Sequence, residues 1–218
     1  MVAGDVGRKG IVRRSKEVNT SVVVRYSDAR TVIRNALCDM ANEKRIIAAA
    51  RALFEQKADD TALSAWARDD AAKSIDVLDS LSFIRNQLVG FDFQPAPQAQ
   101  PYLIIGGVQV SVNCDTLIHR EIKGKPSIGG ALFRMTKPDD AETEAAKAKR
   151  KEMGAYAATL VFMQLEQNLA GNNQPHHEIC WSIDIQNSEV HTAPRNYKTR
   201  AANLETACEF IAAMWGRV

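Results

Sequence analysis

Residues 91–101 read FDFQPAPQAQP, and three prolines in seven positions exclude this stretch from a helix interior or a central strand. The hydrophobic period changes across it. Before it, apolar residues recur at three- and four-residue spacing, the period of a helix; after it they alternate, the period of a strand. A chain of 218 residues with this switch predicts a helical region at 21–90, a proline-rich linker at 91–101 and an αβ core at 102–218. Residues 60–90 are expected to pack with residues 91–218 as one domain.

In the helical region, Ser27 is positioned to cap a helix with Val32, Ile33, Ala36, Leu37 and Met40 on one face. Asn42 can cap a second, whose apolar side is Ile46, Ile47, Ala50, Leu53 and Phe54. A third stretch runs from about residue 61 to Leu88, with a break expected near Asp69 and Asp70, and Gly90 ends it. Residues 1–20 carry five Lys or Arg against two acids, with three glycines and no period, and read as a flexible basic arm.

After the prolines, YLII, a turn at Gly106 and Gly107, and VQVSVNCDTLI predict a β-hairpin whose second strand is one continuous run. KGKP at 123–126 is turn chemistry, and SIGGALFRM is the next strand. Pro138, Asp139, Asp140, Glu142 and Glu144 open a long helix that reaches about Leu169. GNNQPHH reads as a loop, EICWSIDI and SEVHT as a strand pair, and residues 198–215 as a final helix. The fold class is therefore α/β (α+β): a small mixed β-sheet flanked by helices and preceded by a helical N-terminal region.

Charge sets limits rather than an activity. With 28 basic and 26 acidic side chains, any surface for nucleic acid has to come from local clustering. Two clusters qualify: Lys147, Lys149, Arg150 and Lys151, and Arg195, Lys198 and Arg200. Each is equally readable as a solvated helix face. The four cysteines form no Cys-x-x-Cys pair and sit among apolar neighbours, so buried free thiols are expected. His176, His177, Glu178 and His191 lack the i, i+4 spacing of a helical metal site. No apolar run is long enough for a membrane span, and the N-terminus lacks the apolar core of a secretory signal, which predicts a cytoplasmic protein.

The order of elements, together with GVQVSVNCD and EMGAYAATLVFMQ, resembles the PD-(D/E)XK nuclease superfamily, in particular its RecB-like branch, over about residues 75–215. The resemblance implies a restriction-endonuclease-like core. In it an apolar strand ends in a metal-binding aspartate, here Asp115, and the long helix carries a Gln/Tyr motif, for which Tyr156 matches the tyrosine and no glutamine is in place. The implied cofactor is Mg²⁺, held by two carboxylates to activate water for phosphodiester hydrolysis, with a lysine adding positive charge. The implied partner is DNA or RNA.

CDTLIHREIKGK, residues 114–125, contains an Asp and a Glu-x-Lys triplet, but strand geometry separates them. Six residues of extended chain put Glu121 roughly 20 Å from Asp115. Glu121 and Lys123 then read as the end of a hairpin. Reflection through a turn centred between Gly124 and Lys125 places residue 134 opposite Asp115, inside ALFRM, which has no acid. Arg134 or Lys137 can supply the lysine's charge, and Glu43, Glu55 or Asp79 are helical-region acids available to complete a metal site. Asp115 stands open between a metal ligand and a residue capping a turn. Two functional expectations follow: a nucleic-acid-associated protein of nuclease-like fold with an incomplete motif, or a non-catalytic protein that binds another protein or itself through its helices.

Overall fold

A computed structural model describes residues 5–16, 25–135 and 141–217. The helical region comprises α1 (Asp5–Ser15), α2 (Ser27–Cys38), α3 (Glu43–Asp59) and α4 (Ala65–Leu88). The expected arm is thus a helix over residues 5–15. Val12 is buried, the Lys16 end lies 5.4 Å over the Trp215 ring, and the glycines and charged residues around Val12 leave no apolar period to read. Helix α4 runs unbroken past Asp69 and Asp70, because both acids are engaged. Asp69 accepts from Arg25 and Lys73, and Asp70 accepts from the Tyr26 amide. Ser64 caps this helix, its hydroxyl accepting from the Ala67 amide at 3.2 Å.

The sheet holds β1 (Asp92–Pro95), β4 (Thr116–Ile122), β5 (Lys125–Arg134), β6 (Gln174–Asp184) and β7 (Glu189–Thr192), in the order β1-β4-β5-β6-β7. Only β5 and β6 are parallel neighbours, joined through α5 (Glu144–Gln164), which ends in a π-helical turn, Leu165–Leu169. β2 (Leu103–Ile105) and β3 (Val108–Val110) form a separate two-stranded sheet, and α6 (Tyr197–Trp215) closes the chain.

Two sequence expectations fail here. The linker contains β1, an edge strand with Pro95 at its last position, where a missing amide is tolerated. Phe91 and Phe93 anchor it, their rings 4.5 and 6.0 Å from that of Trp181. The continuous strand from residue 108 is also broken. Gly106 (φ 51°) and Gly107 (φ 78°) turn β2 into β3 as expected, but the chain then leaves the hairpin and enters the main sheet at Thr116. The Gln100 side-chain amide takes the place of a strand beside Cys114, accepting from its amide at 2.9 Å and donating to its carbonyl at 2.8 Å. At the far end of α5 the Gln167 amide does the same for Ile104, with both bonds at 3.3 Å.

Helices α2–α4 cover one face of the sheet, where Ile33, Leu37, Phe54, Leu81 and Ile84 meet Ile118, Phe133, Trp181 and Ile183. Helix α5 covers the other, with Val161, Phe162 and Leu165 against Cys114, Ile128 and Cys180. From Ile179 to Asp184, odd residues of β6 face the first layer and even ones the second, as the two-residue period requires. One irregularity interrupts the β5–β6 pairing. Ile128 is level with Pro175 and Gly130 with Cys180, so Gly129 alone faces the four residues 176–179, of which His176 and His177 were expected in a loop and Glu178 and Ile179 in the strand. Among the described residues no helix is long and apolar enough to cross a membrane.

Candidate functional site

Asp115 lies just before β4, its amide donating to the Ala131 carbonyl at 2.8 Å. The β4–β5 hairpin closes on Lys123 (φ 53°) and Gly124 (φ 74°), a two-residue turn. Lys123 takes a left-handed conformation that its side chain does not advertise, so Asp115 heads the strand level with Leu132, two residues from the expected partner. The carboxylate is 8% exposed and fully engaged. Arg30, from α2, donates Nη1 to both oxygens at 2.8 and 2.7 Å and Nη2 to the Phe133 carbonyl at 2.9 Å. The Phe133 amide donates to Oδ2 at 2.7 Å. Burial pushes the Asp115 pKa above the ordinary carboxylate value, against the opposing pull of Arg30, the Phe133 amide and Arg34.

This arrangement does not fit the Mg²⁺ ion that the nuclease resemblance implies. A guanidinium already neutralises Asp115, and residues 131–134 of β5 supply no second carboxylate. Glu121 is level with Pro126 at the other end of the hairpin and Lys123 lies in its turn, as the sequence reading had them. The helical-region acids are held elsewhere: Glu43 accepts from Arg85 Nε at 2.6 Å, Glu55 lies 3.7 Å from Arg51, and Asp79 also pairs with Arg51. Among the described residues no three His, Cys, Asp or Glu are grouped to share a metal ion.

The remaining expected site residues do not assemble around Asp115. Arg134 points to the α5 layer, where its Nη2 lies 3.1 Å from Asp184 Oδ2. Tyr156 faces α6, its hydroxyl accepting from Asn203 at 2.9 Å while Arg200 sits 5.6 Å from its ring centre. Lys137 lies outside the described residues. The two basic stretches approach each other only through Arg200. Tyr197 and Phe162, with ring centres 4.5 Å apart, hold the start of α6, with Arg195 and Lys198, against the end of α5, about 15–20 Å along that helix from Lys149 and Lys151, whereas Arg200 reaches back to Tyr156, about 8 Å along it from Lys151. Lys147 lies 4.0 Å from Glu144. Arg150 is turned inward, donating to Glu142 at 3.0 and 2.9 Å and to Glu189 at 2.6 Å.

No family model matches this chain. No curated protein matches it either.

Arg150 belongs to a second polar cluster, beneath the start of α5, that the sequence reading missed. His191 of β7 lies against Gly154, where an added Cβ would stand 2.2 Å from its Cδ2, so only glycine lets the imidazole rest on the helix backbone. Its Nε2 is 3.2 Å from Glu189 Oε2, and Arg134, Asp184 and Arg150 also act on it. A glycine inside the apolar run of α5 was the one available signal. Burial lowers the His191 pKa most, Arg134 and Arg150 add to this, and Glu189 and Asp184 oppose it. The native state therefore excludes a proton that the unfolded chain binds below an ordinary value of about 6.5. This contribution to stability is complete above that pH and declines as pH falls towards the lowered native value. Urea midpoints at pH 7.5 and 5.5 should show a smaller drop in His191→Gln than in the unaltered protein.

Proposed function

We propose that this chain is a nucleic-acid-associated protein on a restriction-endonuclease-like core whose central site binds without cutting. The order of elements supports the core: N-terminal helices, then β1, β4 and β5 of one sheet, a long helix, a further strand in that sheet and a last helix. The observation that carries the reading is the arginine on the aspartate. Asp115 sits at the boundary of the second core strand, where the resemblance places a metal ligand, and Arg30 supplies the positive charge there in place of an ion.

The test uses labelled single- and double-stranded DNA and RNA with the purified protein in Mg²⁺ or Mn²⁺. The expected result is binding that weakens steeply with salt and no cleavage above an Asp115→Asn control. Metal-dependent cleavage abolished by Asp115→Ala would overturn the non-cutting assignment. Failure to bind any of these ligands at low salt would overturn the nucleic-acid assignment. It would leave the second reading, an interaction protein, which Phe83 favours: this side chain of α4 is 76% exposed. Sedimentation would then show a self-associated species.

A further inference from the structure

We infer that Arg30 and Arg34 form a phosphodiester-binding pair, with Asp115 acting as the buttress that orients Arg30. This rests on the nucleic-acid reading and specifies its contact. The two arginines are one turn apart on α2, so their side chains share a face. Both act on Asp115, which places both beside the head of β4. Arg30 is held as a rigid plane by its bonds to Asp115 and the Phe133 carbonyl, yet its side chain is 41% exposed. Those three bonds leave two of the five guanidinium N–H groups to donate outward. Arg34 is half-buried and has no hydrogen-bond or ion-pair partner among the described residues.

The local charge balance then favours an anion. Among the described residues Asp115 is the carboxylate bonded at this place, and two guanidinium groups act on it near the positive end of α2. Planar, forked donors match the oxygens of a phosphodiester better than a point charge does. A guanidinium fixed in advance also loses little side-chain freedom when the phosphate arrives. An arginine pair thus does in binding what a metal would do in a cutting enzyme: it neutralises the phosphate, with no water activated.

Fluorescence anisotropy with labelled single-stranded DNA, double-stranded DNA and RNA oligonucleotides decides the matter and identifies which polymer is preferred. Arg34→Ala is the primary variant because it breaks no hydrogen bond or ion pair among the described residues. It should weaken binding about tenfold and reduce the salt slope by about one, while Arg34→Lys recovers part of the loss. Lys125→Ala, at the other end of the hairpin, is the charge-matched control and should change affinity less than twofold.

Asp115→Asn, checked for native circular dichroism, gives a result of opposite sign under the two roles for the acid. Removing a mere negative charge strengthens binding to an anion; removing a buttress weakens it. The expected result is weaker binding. If the unaltered protein binds and Arg34→Ala matches Lys125→Ala, or if Asp115→Asn binds more tightly, the inference is overturned and the nucleic-acid reading stands. If the unaltered protein binds none of the three polymers, that reading falls and takes the inference with it.

Discussion

Gly129→Ala is expected to yield little or no soluble native protein. A Cβ at this position would lie 1.9 Å from the Ile179 carbonyl oxygen and 2.5 Å from its carbonyl carbon. Both obstructing atoms are backbone, so no rotamer change relieves the clash. The backbone is held there by the irregular β6 segment opposite Gly129, which returns to register at Gly130 and Cys180. Relief would mean prising apart β5 and β6, the central parallel pair, and opening the core on both faces. A loss above about 4 kcal/mol is expected, a large share of the 5–15 kcal/mol that stabilises an ordinary domain. Gly130→Ala is the comparison. Its nearest contacts would be 3.2 Å to the Thr116 carbonyl oxygen and 3.3 Å to the Cys114 Sγ and a Leu165 methyl, so a few tenths of an ångström of adjustment suffice. That variant should fold with a loss of about 1–3 kcal/mol. Soluble yield and thermal melting separate the two, and a Gly129→Ala protein melting like the parent would refute the β5–β6 register.

The second large effect is expected at Arg30. Arg30→Met removes the partner of a carboxylate that is almost wholly buried, and breaking such a pair from one side typically costs about 3–5 kcal/mol. Arg30 itself is partly exposed, so water replaces some of its bonds and a loss of about 2–3 kcal/mol is the better expectation. The Phe133 amide still holds Asp115 after this change, whereas the Phe133 carbonyl loses its donor. Adding Asp115→Asn to Arg30→Met should recover part of the loss, because the stranded charge is gone. Urea unfolding of the two single variants and the double variant gives the coupling directly. A double variant as unstable as the sum of the singles would mean that the two side chains act independently.

What the sequence revealed follows from where the signals are local. Helices α2, α3 and α4 were legible because Ile33, Leu37, Phe54, Leu81 and Ile84 repeat at helical spacing and bury on one layer. The turns at Gly106–Gly107 and the hairpin at residues 122–125 were marked by glycine, but Lys123 shares the second turn and shifted its centre. Strand β1 was hidden because Pro95 and Pro97 dominate a segment whose structural content is Phe91, Phe93 and Trp181. The break between Val110 and Thr116 left no mark, since the alternation continues through it and the device that interrupts the strand is an amide at Gln100. Asp115 could be singled out; its partner could not. Arg30 lies 85 positions earlier in the chain and became part of the site only when α2 settled on the sheet. The same holds for His191 and Gly154, which nothing local connects.

The side-chain amides of Gln100 and Gln167 have a consequence for the molecule as a neighbour to other molecules. A two-stranded sheet has exposed backbone donors and acceptors on both flanks, each an invitation to a strand from another chain. A glutamine amide satisfies one donor and one acceptor as a peptide group would, yet it carries no backbone onward and so offers the next strand nothing to pair with. Gln167 seals the flank of β2 at Ile104, and Gln100 seals the backbone at Cys114 where the strand leaves its hairpin. The β2 flank is thereby closed at Ile104, which can stay half-exposed at its rim without recruiting a third strand there.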